Sequence, residues 1–234
     1  MSTPRLVAIV PARGGSKGIP RKNMVLLAGR PLIDHTLNVA KSANIFDDII
    51  VSTDDTEIAK FSIDAGCSVH QRPHHLATDG SRVVDSVLDV AQNRKLPIET
   101  LIMVLQPTSP LRTAHHIKAA ADLFHNQDST AVVSVVECEH HPLKTVRIEH
   151  HRIVPMSDRH SLEASRQDLP RLFRPNGALY LASLAVTMRT GSLIPPDAHA
   201  LEMSREDSLD IDSSNDLSFV GHVLQTRIRD IALE

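Results

Sequence analysis

Residues 11–18 read Pro-Ala-Arg-Gly-Gly-Ser-Lys-Gly, and Arg21, Lys22 and Asn23 follow closely. Glycines at 14, 15 and 18 let a backbone approach a ligand and turn its N–H groups toward an anion. Arg13, Lys17 and Lys22 add positive charge to the same stretch. The stretch is not a P-loop, because Ile19 and Pro20 stand where Lys and Ser or Thr are needed, and it lacks G-x-G-x-x-G. At the far end of the chain Asp210 and Asp212 flank Ile211. On an extended strand these carboxylates share one face. Two carboxylates suit Mg²⁺, which fills the rest of its octahedron with water and phosphate oxygens. The charges divide the same way. Residues 1–33 hold Arg5, Arg13, Lys17, Arg21, Lys22 and Arg30 and no acidic residue; residues 202–216 hold Glu202, Glu206, Asp207, Asp210, Asp212 and Asp216 against Arg205 alone. Charge alone fits two solvated surfaces of opposite sign. The local spacing fits a polyanion at one pole and a divalent cation at the other.

Alternating strands and helices must hold these groups. Leu6–Val10 is a short apolar run, expected as a buried strand that empties into the glycine-rich loop. Asp48–Ser52, Thr100–Leu105 and Thr130–Val136 have the same character. Between them, Leu32–Ala43, a segment begun by Thr53-Asp54-Asp55, Val83–Val90 and Ile117–Phe124 carry helical spacing. This alternation implies βαβ units and a parallel sheet, with ligands at the carboxyl ends of the strands. Residues 139–175 are rich in His, Arg and Pro and lack periodicity, as an arm would. Gly177–Ala182 and Leu209–Asp212 read as strands, and Leu217, Val220, Leu224, Ile228 and Ile231 mark a last helix capped by Ser213 or Ser214.

Composition narrows the function. The chain has 234 residues, 41% of them hydrophobic and 23% charged, ordinary globular usage for one domain spanning 1–234. Net charge is −3, and aromatics are 3% with no Trp, which argues against a nucleic-acid partner. Cys67 and Cys138 cannot build a disulfide framework, and no apolar run reaches a membrane span. Met1–Val10 is too short for a signal-peptide core, so a cytoplasmic protein without a membrane partner is expected. Four His-His pairs begin at 74, 115, 140 and 150, but adjacent histidines do not face one metal ion, so solvated side chains are expected.

Five motifs in order complete the reading: VPARGGSKGIPRKN (10–23), QPTSPLR (106–112), EHHPLK (139–144), FRPNGALY (173–180) and SLDIDSSNDL (208–217). Together they resemble the acylneuraminate cytidylyltransferases, the CMP-sialic acid synthetases, over nearly the whole chain. The resemblance implies a three-layer Rossmann-like nucleotidyltransferase fold of α/β class, with a mostly parallel sheet and a projecting dimerisation arm within about 139–195. It implies CMP transfer from CTP to an acidic nine-carbon sugar, with Mg²⁺ as cofactor and a homodimer as the assembly. By motif, Arg13, Ser16, Lys22 and Asn23 would grip the nucleotide, with Lys22 stabilising charge on the α-phosphate, and Arg72 would be a further nucleotide contact. Asp210 and Asp212 would hold the metal. Gln106, Lys144, Arg166 and Tyr180 would face the sugar, and Arg174 and Asn176 would line the same cleft. Two departures stand out. Residues 78–83 read Thr-Asp-Gly-Ser-Arg-Val against a family Thr-Asp-Thr-Ala-Ser-Ser, leaving Ser81 as the candidate for a displaced nucleotide contact. Leu193 and Ile194 stand where some relatives carry paired Phe residues. Three alternatives stay open: the same reaction on legionaminate or pseudaminate, a nucleotide-binding regulator without turnover, and a sugar-1-phosphate nucleotidyltransferase.

Overall fold

The computed structural model describes residues 4–127 and 129–231, with the last two as backbone only. Residues 1–3, part of the leader reading, and the side chain of Ile231 lie outside the described residues. In chain order the elements are β1 (Leu6–Pro11), β2 (Leu26–Leu27), β3 (Arg30–Pro31), α1 (Leu32–Ala43), β4 (Asp48–Thr53), α2 (Thr56–Asp64), β5 (Ser68–Gln71), α3 (Val83–Asn93), β6 (Leu101–Val104), α4 (Ala114–Asn126), β7 (Ala131–Glu137), β8 (Val146–Glu149), β9 (Arg152–Pro155), α5 (Arg159–Glu163), β10 (Phe173–Ser183), α6 (Leu184–Thr190), β11 (His199–Glu202) and α7 (Ser214–Ile231).

Seven strands form the main sheet in the order β11-β7-β10-β6-β1-β4-β5. β1 pairs in parallel with β4 and β6, and β10 alone runs antiparallel to its neighbours β6 and β7. The apolar strand runs are continuous because both faces are covered. Val7, Ile9, Ile50, Ile102 and Val104 pack under α3 and α6 through Val84, Val87 and Leu184. Ala8, Val10, Val51, Met103 and Leu181 pack on the other face against α1, α2 and α4 through Leu37, Ile58 and Ile117. A third cluster joins Ile19, Leu27, Leu32 and Leu111 to Ile211 and Val220, fastening the glycine-rich loop to the carboxyl-terminal segment.

One expectation changes. Leu209–Asp212 is no strand; it is an extended segment whose Ile211 N donates to the Thr108 carbonyl at 2.9 Å, one bond without a ladder. Ser68–Gln71 and His199–Glu202 are edge strands, short and half polar, so neither carries an apolar run. Within 139–195, β10 and α6 belong to the main body, and the segment outside the sheet is the β8–β9 hairpin with α5.

Candidate active site

The register Pro11↔Ser52 and Ile9↔Val104 sets the carboxyl ends of β1, β4 and β6 at one edge. The loops beyond them enclose a cavity of about 260 Å³ lined by Arg13, Gly15, Ser16, Lys22, Asn23, Arg72, Ser81, Gln106 and Thr108. Every nucleotide contact expected from the motifs is therefore in one hollow.

Each side chain has a local reason for its place. Asn23 Nδ2 donates to the Arg13 carbonyl at 2.9 Å, tying the start of the glycine-rich loop to the turn that follows it. Arg21 adopts φ 54°, a left-handed conformation costly for a side-chain-bearing residue, and pairs with Glu57. The next residue, Lys22, is then turned inward. Its Nζ donates to the Ile211 carbonyl at 2.8 Å and to Asp212 Oδ1 at 3.0 Å, so the basic and acidic poles meet directly.

The glycines act differently from expectation. A Cβ on Gly18 would lie 2.1 Å from the Asp212 carbonyl oxygen, and one on Gly14 would lie 2.8 Å from Asp55 Cβ. Both glycines therefore admit other backbone and side chains of the protein. Only Gly15, with nothing within 4 Å, leaves room for a ligand.

Asp210 and Asp212 border a second hollow of about 630 Å³ that also contains Arg174. Ser109 Oγ donates to Asp210 Oδ1 at 3.4 Å. Burial raises the Asp210 carboxyl pKa, and the neighbouring Asp212 charge adds to the rise. Ser213 and Asp216 cap α7 reciprocally: Ser213 N donates to Asp216 Oδ2 at 2.7 Å, and Asp216 N donates to Ser213 Oγ at 3.3 Å. That cap fixes the backbone next to Asp212.

Tyr180 and Gln106 line a third hollow of about 280 Å³ with Leu193 and Ile194, and Arg82 and Val83 connect it to the nucleotide cavity. The apolar wall expected from Leu193 and Ile194 is thus beside Tyr180. Four expected sugar or cleft residues lie elsewhere, Arg174 on the hollow of Asp210 and Asp212. Lys144 Nζ donates to the Ala164 carbonyl, and Arg166 Nη2 donates to the Cys138 carbonyl at 3.0 Å; both belong to the arm. Asn176 is turned into the interior, where its Nδ2 donates to Ser208 Oγ at 2.8 Å and its Oδ1 accepts from Ala178 N at 3.1 Å. There it ties the bulge between Pro175 and Tyr180 to the acidic segment.

Three lining residues escaped the sequence reading. Asp79 pairs with Arg13 at 2.7 Å and Lys17 at 2.8 Å. Thr108 supports the acidic segment through its carbonyl. Arg82 is the one cation lining the Tyr180 hollow among the described residues. Asp79 and Thr108 find their partners far away in sequence, whereas Arg82 pairs with Asp85 three residues on, a pairing that does not by itself signal a hollow.

A mostly parallel α/β sheet with a cation-lined hollow beyond its carboxyl edge defines a nucleotidyltransferase fold, and solved structures share it. CMP:2-keto-3-deoxy-manno-octonic acid synthetase complexed with CTP superposes with a TM-score of 0.73 at 15% identity, covering 95% of this chain and 99% of that one. A 4-diphosphocytidyl-2C-methyl-D-erythritol synthase gives 0.67 at 14% identity, covering 95% of this chain and 100% of that one. The chain belongs to the cytidylyltransferase family, which matches residues 7–199. It is 37% identical to an N-acylneuraminate cytidylyltransferase of Streptococcus agalactiae over 93% of this chain and 53% of the relative, so it spans about half the length of that protein. It is 33% identical to the CMP-N,N'-diacetyllegionaminic acid synthase of Legionella pneumophila over 94% of this chain and 97% of the relative. The pseudaminic acid cytidylyltransferase of Campylobacter jejuni is 28% identical, over 91% of this chain and 93% of that protein.

Proposed function

We propose that the chain transfers CMP from CTP to the anomeric hydroxyl of a sialic acid, an N-acylneuraminate, giving CMP-sialic acid and pyrophosphate. The anomeric oxygen bonds to the α-phosphorus, the bond from that phosphorus to pyrophosphate breaks, and the hydroxyl proton passes to water. The observation that carries the proposal is the contact of Lys22 with Ile211 and Asp212 at the rim of a hollow containing Arg13, Ser16, Asn23, Arg72 and Ser81. It joins a cation of that hollow to a carboxylate of the neighbouring one that Asp210 and Asp212 border, which supports reading the seam as the place for phosphates and a counter-ion.

Arg13 and Lys22 take the charge of the triphosphate, and Lys22 stabilises the charge that develops as pyrophosphate leaves. Gln106 and Tyr180 orient the sugar against the Leu193–Ile194 wall, and Arg82, which donates two hydrogen bonds to Asp85, is the cation on that hollow that an acidic group would have to share with Asp85. The acidic pair fits Mg²⁺. Its donors are hard oxygens, the Asp210 charge is poorly accommodated alone, and among the described residues no third His, Cys, Asp or Glu completes a metal cluster. Asp210 and Asp212 would hold the ion, which when bound neutralises phosphate charge and orients the triphosphate.

The exposed arm, with Lys144 and Arg166 on it, supports a homodimer in which these cations meet the sugar acid of the other copy. Both cysteines are unpaired, and among the described residues no helix is long and apolar enough to cross a membrane, which supports a cytoplasmic site of action.

Pyrophosphate release measured with CTP and a panel of nonulosonates tests the reading. The highest kcat/KM is expected with N-acylneuraminate. A higher value with legionaminate or pseudaminate reassigns the sugar but keeps the chemistry. Preference for UTP or GTP with a sugar 1-phosphate overturns the reaction, and CTP binding without turnover makes the protein a regulator.

A further inference from the structure

Behind the nucleotide hollow, Arg72 heads a line of four polar side chains, of which the other three have no part in the transfer chemistry described above. Ser52 of β4 and His70 of β5 are register partners on adjacent parallel strands, and both are buried. Arg72 Nε donates to Ser52 Oγ at 3.1 Å, and Arg72 Nη2 donates to the Ser52 carbonyl at 2.7 Å. Ser52 Oγ is 3.1 Å from His70 Nδ1. His70 Nε2 faces Asp89 Oδ2 of α3 at 3.0 Å. Those last two atoms are buried, fall short of hydrogen-bond alignment with each other, and have no other partner among the described residues.

Proton counting gives the line a direction. A guanidinium nitrogen only donates, so Ser52 Oγ accepts from Arg72. The hydroxyl proton is then free for His70 Nδ1, and the Asp89 carboxylate facing Nε2 favours the ring in which Nδ1 is the unprotonated nitrogen. A neutral ring carries its proton on Nε2, toward Asp89. Burial lowers the His70 pKa and favours that neutral ring. Ser, His and Asp are the residue types of a nucleophilic triad, yet Ser52 is 0% exposed and its oxygen is occupied by Arg72, so they make no nucleophile. Arg72 is also buried, at 6% exposure, and it lines the nucleotide hollow. Its Nη1 has no protein partner among the described residues, since its other nitrogens are spent on Ser52.

We propose that Asp89, His70 and Ser52 are positioning residues for Arg72, locking the plane of its guanidinium so that Nη1 is presented to the nucleotide. The proposal rests on the reading of Arg72 as a nucleotide contact. Buried polar groups in a line are costly unless paired, and this tautomer gives the serine hydroxyl its acceptor and turns the Nε2 proton toward the Asp89 carboxylate 3.0 Å away.

The test is a mutant cycle on the full chain, with CTP binding followed by calorimetry and turnover by pyrophosphate release. Ser52→Ala and His70→Phe are each expected to weaken CTP binding about tenfold, the effect of one charge-assisted hydrogen bond, and to leave the sugar KM within about twofold. In an Arg72→Ala background neither change is expected to weaken CTP binding further, because the relay then has nothing to position. His70→Asn, which keeps an acceptor near Nδ1, is expected to recover part of the loss. Additive effects in the Arg72→Ala background, or equal shifts for CTP and sugar, overturn the relay. If His70→Phe fails to fold, the Ser52→Ala cycle decides alone. Wild-type protein that does not bind CTP overturns the proposed function and the relay together; wild-type binding with unchanged variants overturns only the relay.

Discussion

Lys22 joins the two poles of the chain through two different acceptors, a carbonyl and a carboxylate. Asp212 is 79% exposed, so the ion pair adds at most about 1 kcal/mol to stability, and the lysine is better explained by the charge it can offer a phosphate. Replacing Lys22 by Met is expected to lower kcat by about 10²–10³-fold while the thermal midpoint moves little. Steady-state kinetics beside a melting curve checks this; a matched loss of fold and rate contradicts it.

Asp210 gives a pH-dependent outcome. Burial raises its pKa, so on acidification it takes up a proton before an exposed aspartate does. Proton and metal compete for the same oxygens. At limiting Mg²⁺ the rate is therefore expected to fall on the acid side and to recover when Mg²⁺ is raised. Asp210→Asn is expected to remove that recovery and raise the Mg²⁺ requirement at every pH; an acid limb indifferent to Mg²⁺ tells against the assignment. Residues of this scale were legible where a motif is local. Arg13, Ser16, Lys22 and Asn23 fall within one loop and one cavity. Asn176 was not legible, because whether its amide faces a ligand or a buried serine depends on the bulge at Gly177, φ 79°, and on Ser208, which lies 32 residues on and outside the motif.

Among the elements, strands buried on both faces announced themselves through unbroken apolar runs, as in Leu6–Pro11. Ser68–Gln71 did not, because an edge strand of four residues holds Ser, His and Gln. The alternation at 209–212 correctly separated buried Ile211 from exposed Asp212, yet alternation reports the faces of a chain and not whether a neighbour completes its hydrogen bonds. The glycine-rich loop makes a sharper case. Gly18→Ala is expected to cost about 1–3 kcal/mol, because its Cβ would meet the Asp212 carbonyl, and to reduce turnover by parting Lys22 from Asp212. Gly15→Ala is expected to change stability by no more than about 0.5 kcal/mol. Denaturant melts of the two variants separate a packing glycine from one beside a ligand; equal losses contradict the distinction. The segment opposite this loop is held by Asp79, whose carboxyl is kept below its usual pKa by Lys17 and then Arg13. A triphosphate must compete with Asp79 for those cations. Asp79→Asn is accordingly expected to tighten CTP binding severalfold at low salt and less at high salt, as titration calorimetry would show; weaker binding would make Asp79 a ligand-supporting residue instead.

At the scale of the molecule, Lys144 and Arg166 line none of the three hollows described above. Ile148 and Ile153 face each other across the β8–β9 hairpin at 77% and 64% exposure, an apolar pair that water solvates poorly. Lys144 and Arg166 are fastened by bonds to the Ala164 and Cys138 carbonyls. Two copies joined through the arms would cover the isoleucines and carry each pair of cations toward the other copy's sugar. Ile148→Glu is expected to shift the protein from dimer to monomer in light scattering and to raise the sugar KM far more than the CTP KM. Lys144→Ala is expected to raise the sugar KM in the same selective way without dissociating the dimer. Mixing Lys144→Ala with inactive Lys22→Met then distinguishes a shared site from a private one. If the lysine acts across the interface, the hybrid has one site with an intact Lys22 and the partner's intact Lys144, and activity at low sugar returns toward about half that of a wild-type dimer, one full site per hybrid dimer formed. If it acts within its own chain, every site in the hybrid lacks one of the two lysines and no activity returns, which would remove the arm from the catalytic assembly.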